Sequence, residues 1–518
     1  MSTTLRIGQG IGRGIGQRIS RRLGLRTARD GADPRALHDE LLLMLVFVGL
    51  LMLVVALSLA GAGTIARPLY MVSAVLICAT AKRRSPWLYL SATLWFWLFT
   101  AFVRRIIEWR SGFIATDIIL ATPNLLVLMV VPDIFRTRGL LTRPGIGYPM
   151  LLTACVLYGL FVSFVRGDVL AGAIGAAEWV TPLLYLFLFV CNAERIQEAE
   201  AHFGLFMTGC LLLFIPYSLY QYFYLPDWDA YWVVSAGMGS LGHPLPMDTR
   251  VFGPTNGPLV LAIWTSTCLT LLSYFRNRLL LLMAPFLFLL IAITGVRAVY
   301  GSLMLAIVVG ALIGRGGFGR LLSIIAVAGV TGYVALATLN PIVTDQIAKR
   351  LDSMQNLSED NSAQTRQEIY AETPAVIAGA PFGEGIGAQG RGQAASGGNT
   401  INIDSGPLSV FLALGWFAAP LYLLAVLALQ CKALMIGRRR NSPIASTMAA
   451  AALCPLGVFP FINGLIGFNG VMLWTCLGFA LAVEIHATTR TPAVTHATAD
   501  PNGRVRRPVL APARRPPR

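Results

Sequence analysis

Apolar runs of roughly 15 to 25 residues, broken by short polar segments, occupy most of the chain between residues 41 and 485. A membrane-spanning helix needs about 20 mostly apolar residues. The pattern predicts fourteen such segments, at roughly 41–63, 67–81, 86–103, 113–132, 147–165, 174–192, 203–223, 255–274, 279–296, 298–314, 321–338, 406–430, 444–462 and 464–485. The pairs around Arg297 and Asn463 are each compatible with a re-entrant hairpin instead of two spans. The expected fold is therefore an all-α polytopic membrane protein with about 12–14 transmembrane helices and one large loop containing short helices.

Two polar breaks are long. Residues 224–254 carry aromatics and prolines (Tyr224, Trp228, Tyr231, Trp232), which suits an interfacial lid or a re-entrant segment. Residues 339–405 predict one or two short helices, near 343–355 and 363–373, ahead of Pro374, and then a glycine-rich loop from Gly379 to Gly398. The organisation is thus a basic tail (1–40), transmembrane helices (41–338), the large loop (339–405), C-terminal transmembrane helices (406–486) and a second basic tail (487–518). Both tails are Arg-, Gly- and Pro-rich, a composition expected to be disordered and to touch anionic lipid. No internal repeat is visible.

Composition agrees with the pattern. The chain is 55% hydrophobic, with a mean hydropathy of +0.65, which excludes a soluble domain. The net charge of +16 would suggest nucleic acid in a soluble protein, but here most of the arginines fall in tails and short loops, so nucleic acid is not an expected partner. With both termini cytoplasmic, 30 of the 41 basic residues lie on the cytoplasmic side, and the positive-inside rule fixes that orientation. The eleven left on the outer side are Arg67, Arg104, Arg105, Arg110, Arg166, Arg250, Arg297, Lys349, Arg350, Arg366 and Arg391. Snorkelling to headgroups accounts for Arg67 and Arg391. For the cluster of Arg104, Arg105 and Arg110, pairing with Glu108 and headgroups stands beside binding of an anionic lipid substrate. All eight cysteines lie within or beside apolar runs and read as small hydrophobes, without disulfide or metal-ligand spacing. The first 40 residues do not read as a secretory signal.

Candidate chemistry gathers on the outer side. Arg297 sits between two strongly apolar runs, and a guanidinium at a helix centre costs ~2.5–3.5 kcal/mol on insertion scales, which argues for an acid or phosphate partner. Arg250 precedes a helix whose first turn presents free N–H groups, and Arg366 opens the last part of the long loop. Three guanidiniums from remote segments suit a pyrophosphate, each gripping oxygens through paired N–H bonds. The alternative is that each has its own carboxylate: Asp248 for Arg250, and Glu368 or Glu372 for Arg366. Arg166, Arg350 and Asn256 are further candidates for substrate contact. The glycines at 383, 385 and 387 read as turns that bring the loop close to the membrane face, since no P-loop context surrounds them. Asp404, before an apolar helix, reads as an N-cap and as a carboxylate placed to accept a proton from an attacking hydroxyl.

Four motifs, in order, resemble the O-antigen ligase and O-antigen polymerase superfamily of bacterial polysaccharide assembly. They are Arg250-Val-Phe-Gly-Pro-Thr-Asn256; Thr294-Gly-Val-Arg-Ala298; Arg366 to Tyr370, followed by Gly379-Ala-Pro-Phe-Gly383-Glu-Gly385-Ile-Gly387; and Asp404-Ser-Gly-Pro-Leu408 running to Leu412-Ala-Leu-Gly415. The matching region covers about residues 250–425. The chain departs from the ligase pattern where Asp404 replaces a histidine, Ser405 an asparagine and Ala413 an acid; the acid at the histidine position favours the polymerase branch. The resemblance implies a multi-pass protein of the bacterial inner membrane with a periplasmic active site, and an undecaprenyl-pyrophosphate-linked glycan as donor. A hydroxyl of a second lipid-linked unit would attack the anomeric carbon. Arg250, Arg297 and Arg366 would hold the leaving pyrophosphate, and Asp404, with Glu368 or Glu372 behind it, would be the base. No cofactor or metal is expected; a chain-length regulator and a flippase are candidate partners beside membrane lipids. The rival readings are a ligase that transfers finished polymer to a lipid A core, and a lipid-linked oligosaccharide flippase. The flippase should place charge near the bilayer midplane and show related halves.

Overall fold

The computed structural model describes residues 34–237, 239–275, 278–313, 317–319, 322–323, 325–327, 329–330, 370–371, 374–390, 403 and 405–490. The described elements are helical: α1 (Pro34–Leu59), α2 (Gly63–Arg84), α3 (Pro86–Ser111), α4 (Thr122–Val127), α5 (Val131–Arg136), α6 (Gly147–Val165), α7 (Val169–Cys191) and α8 (Ile196–Tyr224). They continue as α9 (Asp227–Ser235), α10 (Pro258–Leu271), α11 (Arg278–Thr294), α12 (Arg297–Ile313), α13 (Gly406–Arg439), α14 (Pro443–Ala451), α15 (Leu453–Gly457) and α16 (Gly467–Arg490). Among the described residues nine helical stretches are long and apolar enough to cross a membrane. The chain is an all-α, multi-pass membrane protein, as the hydrophobic pattern predicts. The predicted run at 321–338 and the predicted short helix at 343–355 lie largely or wholly outside the described residues, as does most of the one at 363–373.

Two helices form the centre. α3 starts cleanly because Ser85 caps it, accepting from the Trp87 N–H at 3.2 Å, and because Pro86 suits a first helical position. Trp87, Tyr89, Trp95, Phe96 and Phe99 are buried, and the hydroxyls of Thr93 and Thr100 close on carbonyls of the preceding turn, so neither hydroxyl faces lipid unpaired. α16 is equally enclosed and forms the most extensive packing seam, against α7. By contrast α1 and α2 expose Leu45, Met52, Val72 and Leu76, the apolar outer face that a lipid-facing helix presents.

Helix direction alternates, so ionic groups collect at two ends. One end holds Lys82 with Asp133 (2.8 Å), Arg84 with Asp39 (3.1 Å) and Arg440 with Glu484 (2.7 Å). The opposite end holds Arg67, Arg104, Arg105 and Arg166. There Arg67 does not snorkel: its Nε donates to Asp117 at 2.9 Å and its Nη2 to Ser111 at 3.1 Å. Arg391 lies outside the described residues.

Several predicted spans are broken, and the breaks position the site. The run at 113–132 is a chain of short pieces, with 3-10 turns at Ile118–Ala121 and Leu128–Val130 around α4, because Pro123 and Pro132 each remove a helical N–H donor. The run at 255–274 starts only at Pro258. The run at 444–462 stops at Gly457, giving about 22 Å of helix against a hydrocarbon core of about 30 Å. The pair around Asn463 is therefore a helix too short for a full span, a turn and then α16. α13 kinks at Gly415, whose φ of 68° and ψ of −172° leave the helix.

Candidate functional site

The first break is held by a buried cation. Arg105, 1% exposed, lies on α3. Its Nε donates to Asp229 Oδ1 at 2.6 Å, Nη1 to the Thr255 carbonyl at 2.7 Å and Nη2 to the Gly253 carbonyl at 2.6 Å. The Tyr217 hydroxyl and the Gln221 amide donate to the other oxygen of Asp229, and Gln221 Oε1 accepts the N–H groups of Phe252 and Gly253. Burial pushes the Asp229 carboxyl above its usual range, and the Arg105 charge and these donors oppose that rise. The network fastens segment 251–257 to α3 and α9, and Phe102 N–H donates to the Pro254 carbonyl at 3.1 Å. Phe102 is nine residues short of the end of α3, so the loop enters the bundle about 14 Å deep. Arg104 pairs with Glu108 at 2.8 Å, and the Arg110 guanidinium lies 4.2 Å from the Trp109 ring centre. In this arginine cluster, Arg104 and Arg105 thus have protein carboxylates as partners.

The second break is the glycine run. Glu384 and Gly385 donate N–H bonds to the carbonyls of Leu412 (2.7 Å) and Ala413 (3.1 Å) on α13, and Ile386 donates to Gly159 (3.2 Å) on α6. The backbone is wedged between three helices with no room for side chains. A Cβ on Gly385 would lie 2.7 Å from Ser163 N, one on Gly387 2.5 Å from Gly172 N, and one on Gly175 2.7 Å from Ile386 C. Gly383 and Gly385 also hold positive φ, at 83° and 88°. These are the turns expected from sequence. Arg166 closes the wedge through an ion pair to Glu384 and a 3.4 Å bond to the Gly383 carbonyl. The kink at Gly415 lets Trp416 donate its N–H to the Pro381 carbonyl at 2.8 Å.

Between the breaks lies a cavity of about 330 Å³. It is walled by Trp97 and Thr100 of α3, Glu178 and Trp179 of α7, Asn256 and Val260, Gln389 and Gly390, Ser409 and Ala413 of α13, and Asn463, Phe468 and Asn469. Its polar groups are mostly amides and hydroxyls. Ser409 Oγ donates to Gln389 Oε1 at 2.6 Å and accepts from Asn463 Nδ2 at 3.2 Å, which ties α13, the glycine loop and the 458–466 turn together. Asn469, 8% exposed, has an Oδ1 with no hydrogen-bond partner. Irregular backbone at membrane depth persists only where protein or a cavity satisfies it, and here the broken segments meet around one.

Of the residues singled out from sequence, Asn256 borders the cavity. Arg250 reaches the segment that leads into Arg297. Arg250 donates to the carbonyls of Thr294 (Nε, 3.0 Å), Gly295 (Nη2, 3.1 Å) and Ser240 (Nη1, 3.1 Å), and Arg297 opens α12 two residues beyond Gly295. These three carbonyls fix the direction in which the guanidinium points. Neither arginine, nor Arg166, lines the cavity among its described walls. Arg366, Arg350, Asp404, Glu368 and Glu372 lie outside the described residues. Tyr370, four residues past Arg366, donates its hydroxyl to the Pro460 carbonyl at 3.3 Å, on the turn that borders the cavity. Sequence reading passed over Glu178, Asn124, Asn463 and Asn469. The available signal was a carboxylate or amide inside an apolar run, which is costly in lipid and marks a pathway or site. No family model and no curated protein matches the chain.

Proposed function

We propose that the protein is an integral-membrane glycosyltransferase that joins polyprenyl-pyrophosphate-linked oligosaccharide units into polymer. The observation that carries this is convergence of the four motifs on which the resemblance to O-antigen polymerases rests. The 250–256 segment supplies Asn256 to the cavity, the glycine run supplies Ile386, and the helix that follows Asp404 supplies Ser409 and Ala413. The Thr294–Ala298 segment is clipped to the first motif by Arg250. With the basic end (Lys82, Arg84, Arg440) taken as cytoplasmic, the end that holds Arg67, Arg104, Arg105 and Arg166 faces the periplasm, and we place the acceptor and donor glycans on that side of the inner membrane.

In this reading the cavity holds sugar hydroxyls against amides and aromatic rings, and the pyrophosphate lies above it near Arg250 and Arg297, joined by Arg366. An acceptor hydroxyl attacks the anomeric carbon as the carbon–oxygen bond to the lipid pyrophosphate breaks. The guanidiniums stabilise charge gathering on the leaving oxygens. Among the two rivals, the ligase uses the same chemistry with another acceptor, and the acid at Asp404 in place of a histidine favours the polymerase.

The test is a cell that depends on this gene for its polymer. Arg297→Ala and Arg366→Ala should each reduce polymerisation by about 10²–10³-fold and leave single lipid-linked units accumulating, with the membrane protein at its normal level. Normal chain length in both strains would rule out the assignment.

A further inference from the structure

We infer that Glu178 is the proton acceptor of this transfer, an inference that rests on the function proposed above. It is the one carboxylate among the described residues that border the cavity. It lies nine residues into α7, about 14 Å from the start of that helix. The Pro254 carbonyl is about as far from the end of α3, through its bond to Phe102. By this measure Glu178 and the loop that carries Asn256 sit at similar depth.

The carboxylate is held by packed helix. Its neighbour Trp179 packs edge-on against Tyr422 of α13, with ring centres 5.7 Å apart. Gly172 and Gly175, about two turns and one turn before it, let α7 pack closely, Gly175 directly against the backbone of Ile386 and Gly172 close to Gly387. A base on a rigid element is positioned more tightly than one on a loop.

The groups around Glu178 suit an alcohol. Asn256, Gln389 and Ser409 offer both donors and acceptors, and Asn469 Oδ1, buried without a partner, requires a donor that a sugar hydroxyl supplies. In the step, the acceptor oxygen forms a bond to the anomeric carbon while its proton passes to the Glu178 carboxylate. The pair of the broken carbon–oxygen bond departs with the pyrophosphate, and Glu178 then releases its proton to water.

The experiment uses the full chain in lipid nanodiscs with lipid-linked repeat units extracted from the same cells. Substrate binding and transfer are followed between pH 4.5 and 8. Glu178→Gln should bind substrate as the native protein does, lower kcat by about 10²–10⁴-fold and lose the acid limb of the pH–rate profile. Asn469→Ala should instead raise KM. Transfer by Glu178→Gln within threefold of native, or a loss of binding that accounts for the loss of rate, overturns the assignment. If the glutamine variant does not accumulate, Glu178→Asp decides. An acid limb displaced by that change supports the assignment; an unmoved limb, or a native profile without one, overturns it. Absence of transfer by the native protein would reject the function itself, a separate result.

Discussion

Arg105→Ala is expected to destabilise the protein by about 3–5 kcal/mol, because it strips the partner from a buried carboxylate. Asp229 is wholly buried and would keep only Tyr217 and Gln221 as donors. The carbonyls of Gly253 and Thr255 would lose their donor at the same time, so the loop that brings Asn256 to the cavity would come loose. Contact with the Phe252 ring, 4.8 Å from the guanidinium carbon, would go as well. Lysine should rescue little, since one ammonium cannot reproduce three divergent N–H directions. Arg105→Met with Asp229→Leu should recover part of the stability, because an apolar pair leaves no orphaned charge, while the carbonyls of Gly253 and Thr255 still lack their donor. Thermal unfolding can be read from thiol exposure: Cys78, Cys210, Cys268, Cys454 and Cys476 are free and buried. An Arg105→Ala protein that unfolds at the native temperature would show that the network holds nothing.

Gly385→Ala should be the second most damaging single change. The added carbon would collide with Ser163, and alanine would have to hold a φ of 88°. Overpacking costs about 1–3 kcal/mol and a left-handed backbone about 1–2 kcal/mol more. The glycine run is expected to leave the gap between α6, α7 and α13, carrying Ile386 and Gln389 away from the cavity. The readout is twofold: a lower unfolding temperature and loss of polymer in cells. Gly379→Ala, where a Cβ meets nothing within 4 Å, is the control expected to behave as native. Equal behaviour of the two variants would contradict the wedge.

Much of this was legible in the chain, and the gaps have physical causes. Hydropathy reveals which segments are apolar, because lipid tolerates nothing else, so helices such as α6 and α8 were found close to their true positions. It is blind to continuity: an apolar run reads alike whether it is one straight span or the broken path from Ile118 to Arg136. The turn role of Gly383 and Gly385 followed from glycine chemistry. Arg67 was misread because its acid, Asp117, is fifty residues away, and partners at that separation leave no trace in spacing. Glu178 and Asn469 were passed over because an apolar run hides a single polar residue until the fold shows which side is hollow.

The central claim is that the cavity performs transfer between lipid-linked glycans. The most direct measurement supplies the purified protein, in liposomes, with lipid-linked repeat units and no nucleotide sugar, and follows glycan length and free polyprenyl pyrophosphate together. The account predicts lengthened glycans and one released lipid pyrophosphate for each linkage formed. Units that stay single, or that merely change leaflet, would contradict it and point to a carrier.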